Sequence, residues 1–159
     1  GKKYNLTYSG MHALDILRLE KKFLHWGHDI TSENNPFEAG LSFAVNFNKK
    51  ENFVGREALE KIKDKLLDKK LELFSLKNNF NPGRPLLLHD EPIFYNNVVV
   101  GYTTSSNYSF CYKKNICLAY IKVNKDNLNK LYIEVEGKKY ALKYEKSAIH
   151  DSSSSLMRS

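Results

Sequence analysis

The side chain with the strongest claim to chemistry is Glu20. Placed on a helical wheel at about 100° per residue, Ala13, Ile16, Leu17, Phe23 and Leu24 share one arc, and Asp15, Arg18 and Lys22 lie opposite. Glu20 falls near the middle of the apolar arc. A glutamate is almost never fully buried without a partner. One on this arc is therefore paired, for example with Arg18 or His25, or sits near a helix end, or awaits a ligand. Other groups are less suggestive. His25 and His28 lie three apart, but no cysteine or carboxylate cluster completes a metal set around them. Cys111 and Cys117 have neither zinc nor redox spacing. Cys117 lies in the apolar run ICLAYI and reads as a buried thiol, which suits a reducing compartment. No Gly-x-Gly-x-x-Gly follows a strand, so nothing here should hold FAD, and no phosphate loop or nucleophile elbow occurs.

The elements that must position Glu20 follow from periodicity. A helix is expected from Met11 to Phe23, with Ser9 as its cap. Gly27 and the polar run Thr31–Asn35 make a loop that Pro36 ends. Alternation of Leu41, Phe43, Val45 and Phe47 with Ser42, Ala44 and Asn46 predicts a half-buried strand. A second helix is expected from Gly55 to about Asp68, with Ala58, Leu59, Ile62 and Leu66 on one face. Beyond Lys70 the texture changes to short β-branched and aromatic runs broken by Asn, Gly and Pro. Asn96–Asn97 and Gly137 mark two tight hairpins. Five or more such strands suggest a small antiparallel barrel or jelly roll. Ser152–Ser155 reads as a disordered tail.

The 159 residues carry 42% hydrophobic and 27% charged side chains, normal for a soluble globular protein. No apolar run approaches the roughly 20 residues needed to cross a bilayer, and GKKYNL is not a signal peptide. The net charge of +7 comes from scattered lysines such as Lys49, Lys50, Lys61 and Lys63, with no basic stripe that would read as a nucleic-acid surface. A basic rim would instead attract an anionic ligand tail.

LRLE (Leu17–Glu20), WGHDI (Trp26–Ile30), NPFEAGL (Asn35–Leu41), FVGREAL (Phe53–Leu59), EPI at Glu91 and VGYTTS at Val100 occur in that order. Together they resemble the folate-binding module shared by the glycine cleavage T-protein and the flavin-dependent dimethylglycine and sarcosine dehydrogenases. HWGHDI with PFEAGLSFAV is closer to the dehydrogenase branch. The resemblance implies an α+β chain: residues 1–69 as the C-terminal part of the folate-binding α/β domain, 70–147 as the terminal β-barrel, and 148–159 as a flexible tail. It implies tetrahydrofolate as ligand, with Glu20 hydrogen-bonding the pterin and Trp26 stacking on the ligand. An interface role for Trp26 is the alternative. FAD and the family's catalytic Asp would lie on upstream segments or a partner subunit, so the chain alone, read as a fragment, is expected to be inactive. The expected function is therefore the tetrahydrofolate-binding portion of an FAD-dependent N-methyl amine dehydrogenase, with an aminomethyltransferase or a non-catalytic binding or assembly module of the same fold as the alternatives. The implied setting is bacterial cytoplasm or mitochondrial matrix, with no nucleic-acid or membrane partner.

Overall fold

A computed structural model describes residues 1–122 and 124–158. Six antiparallel strands form a closed barrel: β1 (Lys70–Leu76), β2 (Pro92–Tyr95), β3 (Val98–Ser109), β4 (Lys114–Ile121), β5 (Tyr132–Val135) and β6 (Lys138–Glu145), in the order β1-β4-β3-β2-β5-β6. The expected barrel is therefore present, and closure leaves no free strand edge. Both hairpins turn where the sequence placed them. Asn96 and Asn97 have φ of 49° and 64°, the left-handed pair that a two-residue turn of matching twist needs. Glu136 and Gly137, at 51° and 71°, do the same between β5 and β6.

Period-2 alternation assigns β1 and β4 two different jobs. Phe74, Leu76, Cys117, Ala119 and Ile121 point into the barrel with Ile93, Leu131, Ile133 and Leu142. Leu71, Leu73, Ile116, Leu118 and Tyr120 point outward and form a second core with Leu19, flanked by Ile16, Leu24, Ile30 and Ile149. Two buried faces explain why ICLAYI is apolar throughout. Cys117 is fully buried, which pushes its thiol up to about 12. It is expected to resist a thiol reagent at neutral pH while exposed Cys111 reacts. A count of two reactive thiols in the native chain would contradict this placement.

Helix α1 runs Met11–Glu20, three residues shorter than the expected Met11–Phe23. It ends in a Schellman turn with Lys22 in the left-handed position at φ 55°. There the Phe23 N–H donates to the Arg18 carbonyl at 2.8 Å and the Lys22 N–H to the Leu19 carbonyl at 2.9 Å. Gly10, not Ser9, is its N-cap, and no side chain caps it. The buried face also differs in phase from the wheel. Leu19 and Glu20 are buried, while Leu17 and Phe23 are about half exposed, at 58% and 49%.

The expected strand Leu41–Phe47 is a turn, with a short 3₁₀ helix over Ser42–Ala44. Among the described residues it pairs with no strand, and its backbone is satisfied locally, Ala44 N–H on the Leu41 carbonyl and Val45 N–H on that of Ser42. The second helix, α2, shrinks from Gly55–Asp68 to Arg56–Glu60, and Leu66 is 94% exposed. A short helix with no apolar surface to pack on is marginal. In the part of the chain expected as a flexible tail, 148–159, the described residues include a 3₁₀ turn at Ser155–Met157, and the His150 N–H donates to the Glu20 carbonyl at 3.0 Å at the end of α1. Lys21 Nζ donates to the Asp151 carbonyl at 2.7 Å and to its carboxylate at 3.1 Å. Burial raises the Asp151 pKa, but hydrogen bonds from Lys21, Ser155 and the backbone N–H groups of Ser155 and Leu156 outweigh it and hold the carboxyl below its ordinary value. A depressed carboxyl stabilises above its unfolded pKa of about 3.9, and that contribution is lost as pH falls further. Amide protection over 151–157, taken relative to the intrinsic exchange rate at each pH, is therefore expected to fall below about pH 4 before the barrel opens. Protection in this segment that stays constant down to the global acid transition would contradict it.

Candidate functional site

The quoted motifs meet at one seam between α1, the turn after it and the barrel. LRLE contributes Arg18, Leu19 and Glu20. Arg18 is the hub, with its guanidinium donating to Asp29 Oδ2 at 2.7 Å, Asp15 Oδ1 at 3.2 Å and Ser105 Oγ at 2.8 Å. Asp29, from WGHDI, is 1% exposed. It also accepts the Thr104 hydroxyl at 2.6 Å and the His25 backbone N–H at 2.9 Å. Thr104 and Ser105 come from VGYTTS, where β3 shifts register between Thr103 and Ser105. That irregularity accompanies two successive hydroxyls bonded to the α1 side of the seam, a use to which β-bulges are often put. NPFEAGL ties down the next loop. Asn35 Oδ1 accepts the N–H groups of Phe37 and Glu38, both at 3.0 Å, and the Glu38 carbonyl takes the Leu71 N–H at 2.8 Å, attaching the loop to β1.

Glu20 lies at the C-terminal end of α1 and is 3% exposed. The partner of its carboxylate is Ser109 of β3, whose hydroxyl donates to Oε1 at 2.5 Å, rather than Arg18 or His25. No hydrogen bond to Oε2 is found among the described residues. A buried carboxylate with one donor on one oxygen retains capacity to accept more. Trp26 is 67% exposed on the turn that a Trp26–Ile30 backbone bridge closes. A cavity of about 290 Å³ opens beside the seam, lined by Met11, Asp15, Arg18, His25, His28 and His89 among others. Neither Glu20 nor Trp26 lines this cavity. The His25 and His28 rings lie 4.5 Å apart and those of His28 and His89 6.2 Å apart. His89 Nδ1 lies 2.7 Å from Asp90 Oδ2.

Two further buried carboxylates, Glu72 and Asp29, escaped the sequence reading. Glu72 of β1 is 3% exposed and meets Lys22 at 3.3 Å, Lys70 at 2.9 Å and the Tyr144 hydroxyl at 3.3 Å. Burial and then the Glu72 charge and hydrogen bond raise the Tyr144 pKa, so this phenol stays a donor. Its signal was faint: a charged residue inside LELFSL. Asp29 gave less, because no spacing rule links a turn residue to strand hydroxyls 75 positions away.

An α1 layer over a closed six-stranded barrel, with LRLE, WGHDI and VGYTTS joined at the seam, defines a T-protein-type module. Residues 69–151 match the family model of the glycine cleavage T-protein C-terminal barrel domain, and residues 1–49 match the GCVT N-terminal domain. The chain belongs to this family. Human mitochondrial dimethylglycine dehydrogenase is 36% identical over 142 residues, spanning 88% of this chain and 16% of that protein. The formaldehyde-forming 4-methylaminobutanoate oxidase of Paenarthrobacter nicotinovorans is 30% identical across 99% of this chain and 19% of its own length. An aminomethyltransferase of Synechococcus elongatus is 35% identical over 81% of this chain and 34% of its own. The chain thus spans less than a fifth of the two oxidoreductases. The aminomethyltransferase T of the Bartonella henselae glycine cleavage system shares the fold, with a TM-score of 0.81 over 94% of this chain and 41% of that one at 24% identity. No helix among the described residues is long and apolar enough to cross a membrane.

Proposed function

We propose that the chain is the tetrahydrofolate-binding portion of an FAD-dependent N-methyl amine dehydrogenase of the dimethylglycine or sarcosine type. The observation that carries this reading is the matched pair of T-protein domains in a chain whose relatives include dimethylglycine dehydrogenase and 4-methylaminobutanoate oxidase. In such an enzyme the flavin, held by other segments, oxidises the N-methyl amine to an imine, and tetrahydrofolate accepts the one-carbon unit. This chain's residues would bind and orient the folate, with Glu20 accepting from the pterin and Trp26 offering a ring to stack on. Orientation alone contributes strongly to rate when two reactants must meet. The remaining α/β segments and the flavin domain are its proposed partners, and bacterial cytoplasm or mitochondrial matrix its proposed setting. Residues 1–69 and 70–147 are proposed as its two units.

The aminomethyltransferase reading rests on the relative of that name. One experiment separates the two. The protein containing this chain is purified, its visible spectrum recorded, and N-methyl amine oxidation followed with and without tetrahydrofolate. A flavin spectrum, with tetrahydrofolate diverting formaldehyde into methylenetetrahydrofolate, is expected. A colourless protein that transfers aminomethyl groups would replace the first reading with the second. Failure to bind tetrahydrofolate in calorimetry would overturn both.

A further inference from the structure

The barrel wall carries a second cavity that shares no residue with the one at the seam. Its volume is about 400 Å³, within the range of small-molecule sites. Val99, Val100 and Tyr102 of β3, with Pro92 and Tyr120, give it an apolar body, and Lys69, Lys122 and Asp90 line it as well. Gly101 keeps β3 close to β4 here, since a Cβ at that position would lie 2.1 Å from the Tyr120 carbonyl oxygen.

Two lysines outnumber the one carboxylate, and that carboxylate, Asp90, lies 2.7 Å from His89 Nδ1. The Lys69 ammonium rests 4.7 Å from the centre of the Tyr120 ring and meets no carboxylate among the described residues; Lys122 meets none either. Tyr120 is 2% exposed, and its hydroxyl has no hydrogen-bond partner among the described residues. Burial, then the charges of Glu38, Tyr102 and Asp29, push its pKa well up, so it stays protonated. Two cations without carboxylate partners beside an apolar cavity suit an anionic ligand with an apolar body.

We propose that this cavity binds a small carboxylate with an apolar body, held between Lys69 and Lys122 and packed against Val99 and Tyr102. Seam and cavity stand on different residues, so the proposal is independent of the folate reading. The test uses the 159-residue chain and two probes of equal shape, benzoate and neutral benzamide. Binding is followed through the backbone amide signals of Gly101, Tyr102 and Lys122. Benzoate is expected to saturate these shifts at millimolar concentration, with benzamide and the Lys69→Gln/Lys122→Gln variant each about tenfold weaker, as two partly exposed ion pairs imply. Thermal melts of the variant confirm that it is folded. No saturable shift at these amides, equal affinity for both probes, or benzoate binding unchanged in the variant would each overturn the proposal.

Discussion

Replacing Arg18 by Met is expected to destabilise the chain by about 3 kcal/mol or more, because it strands Asp29 as an unpaired buried charge. The Asp29 side chain is wholly buried and that of Arg18 is 14% exposed. Without the guanidinium, Asp29 keeps only Thr104 Oγ1 and the His25 N–H, neutral donors that cannot replace a countercharge. Asp29→Ala should cost less, about 1–3 kcal/mol, since Arg18 retains Asp15 and reaches water. The double variant should recover part of the loss, because the two residues act as one unit. Total stabilities are typically 5–15 kcal/mol, so the first substitution removes a large share. Urea denaturation of the three variants and the parent measures all of this. An Arg18→Met chain within about 1 kcal/mol of the parent would mean that the seam behaves as an ordinary surface ion pair.

That hub marks where sequence reading succeeds and where it stops. The barrel was legible because its information is local. Period-2 runs and left-handed turn residues such as Asn96–Asn97 identify strands without any distant contact. The α1 face was less legible. The wheel set Arg18 and Asp15 toward solvent, yet both take part in the seam, because the inner surface they meet is polar, made of Asp29, Thr104 and Ser105. Hydropathy alone cannot detect such a surface. Residues 41–68 failed for the opposite reason. Their alternation and helical spacing are real, but an amphipathic pattern becomes a strand or helix only against something apolar. With Phe43 at 84% and Val54 and Leu66 almost fully exposed, these residues have no such surface in the described chain. The Glu20 reading fell between these cases. Its burial followed from the wheel, but its partner, Ser109, lies 89 positions away and could not be named from spacing.

Glu20→Gln, made in the proposed full-length enzyme, is expected to weaken tetrahydrofolate binding by about tenfold to a hundredfold with little change in melting temperature. Gln preserves the shape and leaves an amide oxygen for the Ser109 hydroxyl now bonded at 2.5 Å, so the fold should lose no more than about 1 kcal/mol. What it removes is the charge and the accepting capacity of Oε2. Charge-assisted bonds from pterin N–H groups to a carboxylate contribute roughly 1.5–3 kcal/mol each, and about 1.4 kcal/mol corresponds to a factor of ten in affinity. Ser109→Ala serves as the control, since it leaves the carboxylate and removes only its internal donor. That change should lower stability by about 1 kcal/mol while folate affinity stays within a few fold. Calorimetric affinity and thermal melting are measured on the same preparations. A purely structural glutamate predicts the reverse pattern, in which Glu20→Gln lowers the melting temperature and leaves tetrahydrofolate affinity untouched. That result would reduce Glu20 to a tether between α1 and β3 and remove it from the ligand site.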